Sequence, residues 1–220
     1  MSFYPTTIVS PPLLSGHTML RIYGSANSRA LRVIWMAGEL GLEYNHEDWL
    51  PRAPETQTAA YRALNPNARV PTIDDDGFIL SESMAINIYL AKKHNSPLWP
   101  ADPKQEALIL QWSLWETDRL DRQIVDYVRH TVALPAVERK ADIAAAAWKQ
   151  VAPAFDVLET SLTESTWLVG ETFTVADINV AGALYRALSI DTGKWVRLNH
   201  WLKRCWERPA AKAARAMREK

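Results

Sequence analysis

Arg69-Val70-Pro71-Thr72-Ile73, with Leu80-Ser81-Glu82-Ser83 close behind it, is the stretch that decides how this 220-residue chain is organised. An extended segment meets a proline, turns at Asp74-Asp75-Asp76-Gly77, returns through Phe78-Ile79-Leu80 and enters a helix. Proline lacks the N–H that a central ladder needs, so Pro71 belongs at the first residue of its strand. A cis bond before it would leave the Val70 N–H and C=O turned outward, open to an extended ligand. The next helix opens at Glu82-Ser83 and offers unpaired backbone N–H groups and a positive dipole end to any anion. Strand-like pairing beside an anion-binding helix end suits a short acidic peptide. Simple N-capping explains Ser83 equally well, so the order of the surrounding elements has to decide.

Leu20-Arg21-Ile22-Tyr23 alternates and stops at Gly24, a strand followed by a turn. Leu31, Ile34, Trp35 and Leu40 then recur at helical spacing until Gly41. Leu42 to His46 reads as a short strand, and residues 56–64 are weakly helical before Asn65-Pro66. The Pro71 strand, its Asp-Gly hairpin and a helix from Ser83 to His94 complete a β-α-β-α-β-β-α order. The expected packing is a mixed four-stranded sheet with helices on both faces. Beyond Asn95-Ser96-Pro97 the periods are helical only, with helices expected at 103–130, 136–163, 174–189, 195–207 and 209–218. Thr174-Val175-Ala176-Asp177 reads as a capping box with Asp in place of the usual Glu or Gln.

Composition narrows the classes. With 48% hydrophobic residues and ten tryptophans the chain has material for a real core. Its formal charge is zero, so nothing suggests nucleic acid or anionic lipid as a partner. One cysteine, Cys205, rules out an internal disulfide framework and a Cys-x-x-Cys redox centre, and fits a reducing, cytoplasmic setting. No apolar run is long enough for a membrane span. The five histidines show no metal-ligand spacing, so no metal is expected. Residues 1–18 read as a loose arm, or as sequence upstream of an internal start at Met19, ahead of units at 19–95 and 102–220.

In this order, the Leu20–Tyr23 strand, Arg32-Val33-Ile34-Trp35 through Leu42, Asn65-Pro66, Arg69-Val70-Pro71, Glu82-Ser83-Met84-Ala85-Ile86 and Phe173 to Asp177 resemble the cytosolic glutathione transferase family. The resemblance implies an α/β thioredoxin-like N-terminal domain, an all-α C-terminal domain and a homodimer. It also implies a site for glutathione as co-substrate. Glu82 and Ser83 would hold the γ-glutamyl end, and Val70, before Pro71, would pair through its backbone with the cysteinyl residue. Arg69, and more weakly Gln57, would lie near the glycine carboxylate.

The family activates the glutathione sulfur with a hydroxyl or thiol near the start of the first helix. Lowering a thiol pKa from about 8.5 to about 6.5 needs roughly 2.7 kcal/mol, within reach of one hydrogen bond and a helix dipole. Ser28 is the first choice for that donor and Asn27 the second, with Ser25 read as a turn residue. A Ser28 that only caps the helix is the competing reading. The second substrate, a small hydrophobic electrophile or a peroxide, is expected between the domains, near Trp112, Trp115, Arg119 and Tyr127. At least one of these tryptophans is expected in the core. The leading expectation is a transferase that adds the glutathione thiolate to electrophiles. The alternatives are a glutathione-dependent peroxidase or disulfide reductase on the same site, and a non-catalytic binding or docking protein.

Overall fold

The computed structural model describes residues 19–190 and 192–219. The reading of residues 1–18 as a loose arm lies outside them. Four strands, β1 (Leu20–Tyr23), β2 (Tyr44–Glu47), β3 (Thr72–Asp75) and β4 (Phe78–Ser81), form one sheet in the order β2-β1-β3-β4. β1 and β2 run parallel through the crossover helix α1 (Ala30–Glu39), while β1–β3 and β3–β4 are antiparallel. This is the mixed thioredoxin-like sheet that the pattern anticipates, and an all-helical region follows it.

The ladder begins at Thr72, one residue later than expected, and the Val70–Pro71 bond is cis. Val70 therefore stands outside the sheet's pairing. The loop that carries it is pinned from beneath by two side chains. Tyr61 and Asn65 both donate to the Arg69 carbonyl, at 2.7 and 2.9 Å, and both meet the Thr72 hydroxyl. Tyr61 comes from α3 (Ala59–Leu64), which follows the single turn α2 (Pro54–Gln57). Tyr23 is buried and its ring meets those of Trp49 and Tyr61, so the strand tyrosine is a packing residue.

α1 is the centre of the molecule. Ala30 through Ala37 are all buried, because α1 lies between the sheet with α4 (Ser83–Lys93) and the helical region. There it packs on α8 (Val175–Ala183) and α10 (Pro209–Arg218). The ring of Trp35 lies 4.8 Å from that of Trp206 on α9 (Val196–Glu207), so one apolar core runs through both halves. Arg208 clamps the same joint, donating to both carboxylate oxygens of Glu39 at 2.7 and 2.6 Å.

The long helix expected at 103–130 is two, α5 (Pro103–Arg119) and α6 (Asp121–Val128), broken at Leu120. The segment 136–163 is a short turn followed by α7 (Ala141–Ser161), and 174–189 ends as α8 plus a 3-10 turn at Leu184–Ser189. The capping box forms: Thr174 accepts from the Ala176 N–H, and the Asp177 carboxylate accepts from the Thr174 N–H at 2.9 Å. Among the described residues no helix is long and apolar enough to cross a membrane.

Candidate functional site

Glu82 stands at the N-cap of α4 with φ 73° and ψ 112°, in a region that side chains with a Cβ rarely adopt. This backbone turns the first N–H groups of α4 toward a cleft of about 330 Å³, lined by Glu82, Ser83, Arg29, Arg32, Asp121 and one face of α5. Ser83 is nearly buried, and its hydroxyl oxygen accepts from the Arg32 Nη1 at 3.2 Å. With that lone pair occupied by a cation, the Ser83 proton is left to donate outward.

Arg32 is the residue that sequence reasoning missed. It sits mid-helix in an apolar run, 3% exposed, and donates to Glu116 Oε1 at 2.8 Å and Asp121 Oδ1 at 3.3 Å. An arginine surrounded by Leu31, Val33 and Ile34 was a readable signal, since such a cation is buried only when paired. Burial pushes the Glu116 carboxyl up to about 7, with Arg32 pulling the other way. Gly182 makes the room for Arg32: a Cβ there would stand 2.5 Å from the Arg32 Cγ.

The loop between β1 and α1 reaches the same region. Gly24, at φ 130°, lets it pass against the strand loop, since a Cβ on it would lie 2.8 Å from that of Val70. The Ser28 hydroxyl donates to the Ser25 carbonyl at 2.7 Å and accepts from the Ala30 N–H at 3.0 Å, so it closes the loop and ties it to the first amide of α1. Its one proton is already engaged. Asn27 is exposed, and its side-chain amide has no hydrogen bond among the described residues. Between the two, the geometry leaves Asn27 the freer donor. Cys205 is fully buried, and burial raises its thiol well above the ordinary range.

On the far side of Val70, Gln57 and Arg69 line one groove of about 230 Å³ together with Arg52, Arg62 and Asn67. Arg62 donates to the Gln57 side-chain oxygen at 2.7 Å and holds it at the groove. Arg52 was missed because a turn arginine carries no periodicity, and Arg62 because an arginine on the short helix α3 reads as a solvated surface residue. The four residues expected at the second-substrate pocket do not line the cleft at Ser83. Trp112 is core, its indole N–H donating to the Leu168 carbonyl at 3.0 Å, and Trp115 packs edge-on against it. Arg119 is exposed and pairs with neighbouring Asp118, while the Tyr127 ring lies against that of Trp148. The α5 face that does reach the cleft carries Leu110, Leu114 and Thr117, a stripe displaced from the tryptophans by part of a helical turn.

Two family models match the chain: the glutathione S-transferase N-terminal domain over residues 28–93 and the C-terminal domain over 120–209. The theta class glutathione S-transferase of the citrus canker pathogen Xanthomonas axonopodis pv. citri, solved with glutathione bound, is 31% identical. It superposes with a TM-score of 0.84, covering 89% of this chain and 96% of its own. The chain belongs to the cytosolic glutathione S-transferase family. A glutathione S-transferase from Pseudomonas fluorescens is 26% identical with a TM-score of 0.78, over 88% of this chain and 97% of that one. Ure2p, solved in complex with glutathione, shares the fold at 22% identity and a TM-score of 0.78, over 91% of this chain and 95% of its own.

Proposed function

We propose that this family member is a working glutathione transferase: it binds glutathione on the unit formed by residues 19–95, ionises its thiol and adds the thiolate to an electrophile held against the unit 102–220. The strained Glu82 backbone carries the reading, because a conformation costing about 1–3 kcal/mol persists where something is gained by it. What it presents is Ser83 with the open N–H groups of α4, backed by Arg32, a receptor for the γ-glutamyl carboxylate. Glu82 would accept from the glutamyl ammonium. Val70 and Pro71 would align the cysteinyl residue, and Arg69 with Gln57 would take the glycine carboxylate. The sulfur then falls at the loop before α1, where Asn27 is the first donor and Ser28 fixes the loop's shape. No carboxylate lies on that loop to repel a thiolate.

Calorimetric binding of glutathione, followed by ultraviolet titration of the bound thiol, tests this directly. Binding with an ionised thiol near neutral pH is the expected result, and Asn27→Ala should move the titration to higher pH with affinity largely kept. Binding without ionisation would leave a carrier, and conjugation replaced by peroxide or disulfide turnover would select the redox alternative. We also propose pairing with a second copy, supported by Leu110 and Leu114, which stand 43% and 70% exposed on α5. Sedimentation should show a dimer that Leu114→Glu converts to monomer.

A further inference from the structure

A cavity of about 520 Å³ lies between α9, α10 and the 3-10 turn Leu184–Ser189, and it shares no lining residue with the cleft at Ser83 or the Arg69 groove. Its apolar wall is Leu188, Ile190, Leu202 and Ala216, with Trp206. Trp206 is 4% exposed, and its indole N–H is buried with no hydrogen-bond partner among the described residues. That sets it apart from the other buried tryptophans. Trp35, Trp99, Trp112, Trp195 and Trp201 each donate to an oxygen, of Glu39, Glu106, Leu168, Asp156 and Asp177 in turn. A buried indole N–H ordinarily finds an acceptor, and leaving a buried donor without one costs about 1–3 kcal/mol. The rings of Trp35 and Tyr185 pack on Trp206 at 4.8 and 5.4 Å, and the Tyr185 hydroxyl donates to Glu219.

The polar groups that line the cavity are engaged with one another. The Asn199 amide donates to the Thr192 carbonyl at 2.8 Å, Arg215 donates to Glu219 at 2.6 Å, and Lys203 faces Glu207 at 3.7 Å. Lys212 adds a third basic side chain at the mouth. What the cavity offers a ligand is therefore an apolar wall, a buried donor and basic groups around it, so the ligand must bring the acceptor. Its volume falls within the range of small-molecule sites. We propose that this cavity binds an amphipathic carboxylic acid, with the apolar body against Leu202 and Ala216 and the carboxylate accepting from the Trp206 indole. Lys203, Lys212 and Arg215 favour the anion over a neutral head group of the same shape. No lining residue belongs to the proposed glutathione site, so this assignment stands apart from the transferase reading.

Decanoate and decanol, which share one apolar body and differ in the head group, form the test pair on the full chain. An ordinary greasy pocket would favour the alcohol. Calorimetry should instead show decanoate binding about tenfold or more tighter, the value of a hydrogen bond to a charged group. Trp206→Phe keeps the ring packing and removes the donor, so it should remove most of that preference. Ala216→Trp fills the cavity from an exposed position on α10 and should abolish binding of both compounds, with glutathione affinity unchanged. In nitrogen-15 NMR spectra the indole resonance that Trp206→Phe deletes should move downfield as decanoate is added to the wild type. If Trp206→Phe does not fold, the Ala216→Trp titration decides. No decanoate binding, equal binding of decanol, or decanoate binding that survives Ala216→Trp overturns the assignment. Asp191 lies outside the described residues. If Asp191→Ala alone shifts the Trp206 indole resonance upfield, the acceptor belongs to the chain and the assignment falls.

Discussion

At Glu82 and Ser83 a single turn of chain does two jobs that compete in most proteins. The Ser83 hydroxyl would ordinarily fold back to cap α4; instead it accepts from Arg32, and the helix end stays open. Ser83→Ala should therefore weaken glutathione binding about ten- to a hundredfold, the value of a hydrogen bond to a charged group, with the melting temperature nearly unchanged. Unchanged affinity in calorimetry would move the site elsewhere. Glu116, behind Arg32, gives a pH signature. The folded chain keeps its proton up to about 7, whereas the unfolded chain loses it near 4.5. Stability from this group is thus fully present below 4.5 and is lost as pH rises to about 7, by about 3 kcal/mol. Urea unfolding of the wild type and Glu116→Gln across this range should show that difference. A constant difference would mean that Glu116 is ionised throughout as the partner of Arg32.

Elements differ in how much of their placement they carry locally. The start of α8 was legible because the capping box is written in four consecutive residues. Its energetic weight was not. Asp177 also accepts from the Leu168 N–H at 3.0 Å and the Trp201 indole at 2.8 Å, tying three segments together. Thr174→Ala should cost about 1 kcal/mol. Asp177→Ala should cost about 3 kcal/mol or more, since it leaves several buried donors unpaired. Denaturant midpoints of the two variants would check the ranking, and equal losses would reduce Asp177 to a simple cap. The break at Leu120 was invisible for the opposite reason. Helical periodicity continues through it, and only the ion pairs of Asp121 with Arg29 and Arg32 mark the second helix as separate. The tryptophan stripe of α5 was likewise assigned to the cleft because spacing shows which residues share a face, not which way that face points.

At the scale of the molecule, α1 joins the two halves, and Gly182 sits where they meet. Gly182→Ala would push a methyl into Arg32, whose three partners leave it no room to yield. It should cost about 1–3 kcal/mol of stability. It should also weaken glutathione binding, although α8 lies in the helical half and touches no ligand in the proposed arrangement. Calorimetry and thermal melts on the same variant decide this, and lost stability with full affinity would uncouple Arg32 from the site.

The sequence by itself determined the order of elements along the chain, the proline turn and the two-part organisation, and it named candidates for the glutamyl and glycine ends of the proposed site. These depend on short-range rules: alternation, turn chemistry, capping and composition. Tertiary structure alone decided that Arg32 backs Ser83, that Trp112 belongs to the core and that Arg218 reaches the loop that carries Asn27. Each of those facts pairs groups from separate elements, many residues apart. Long-range pairing depends on how faces dock, and docking direction leaves no periodic trace in a single chain.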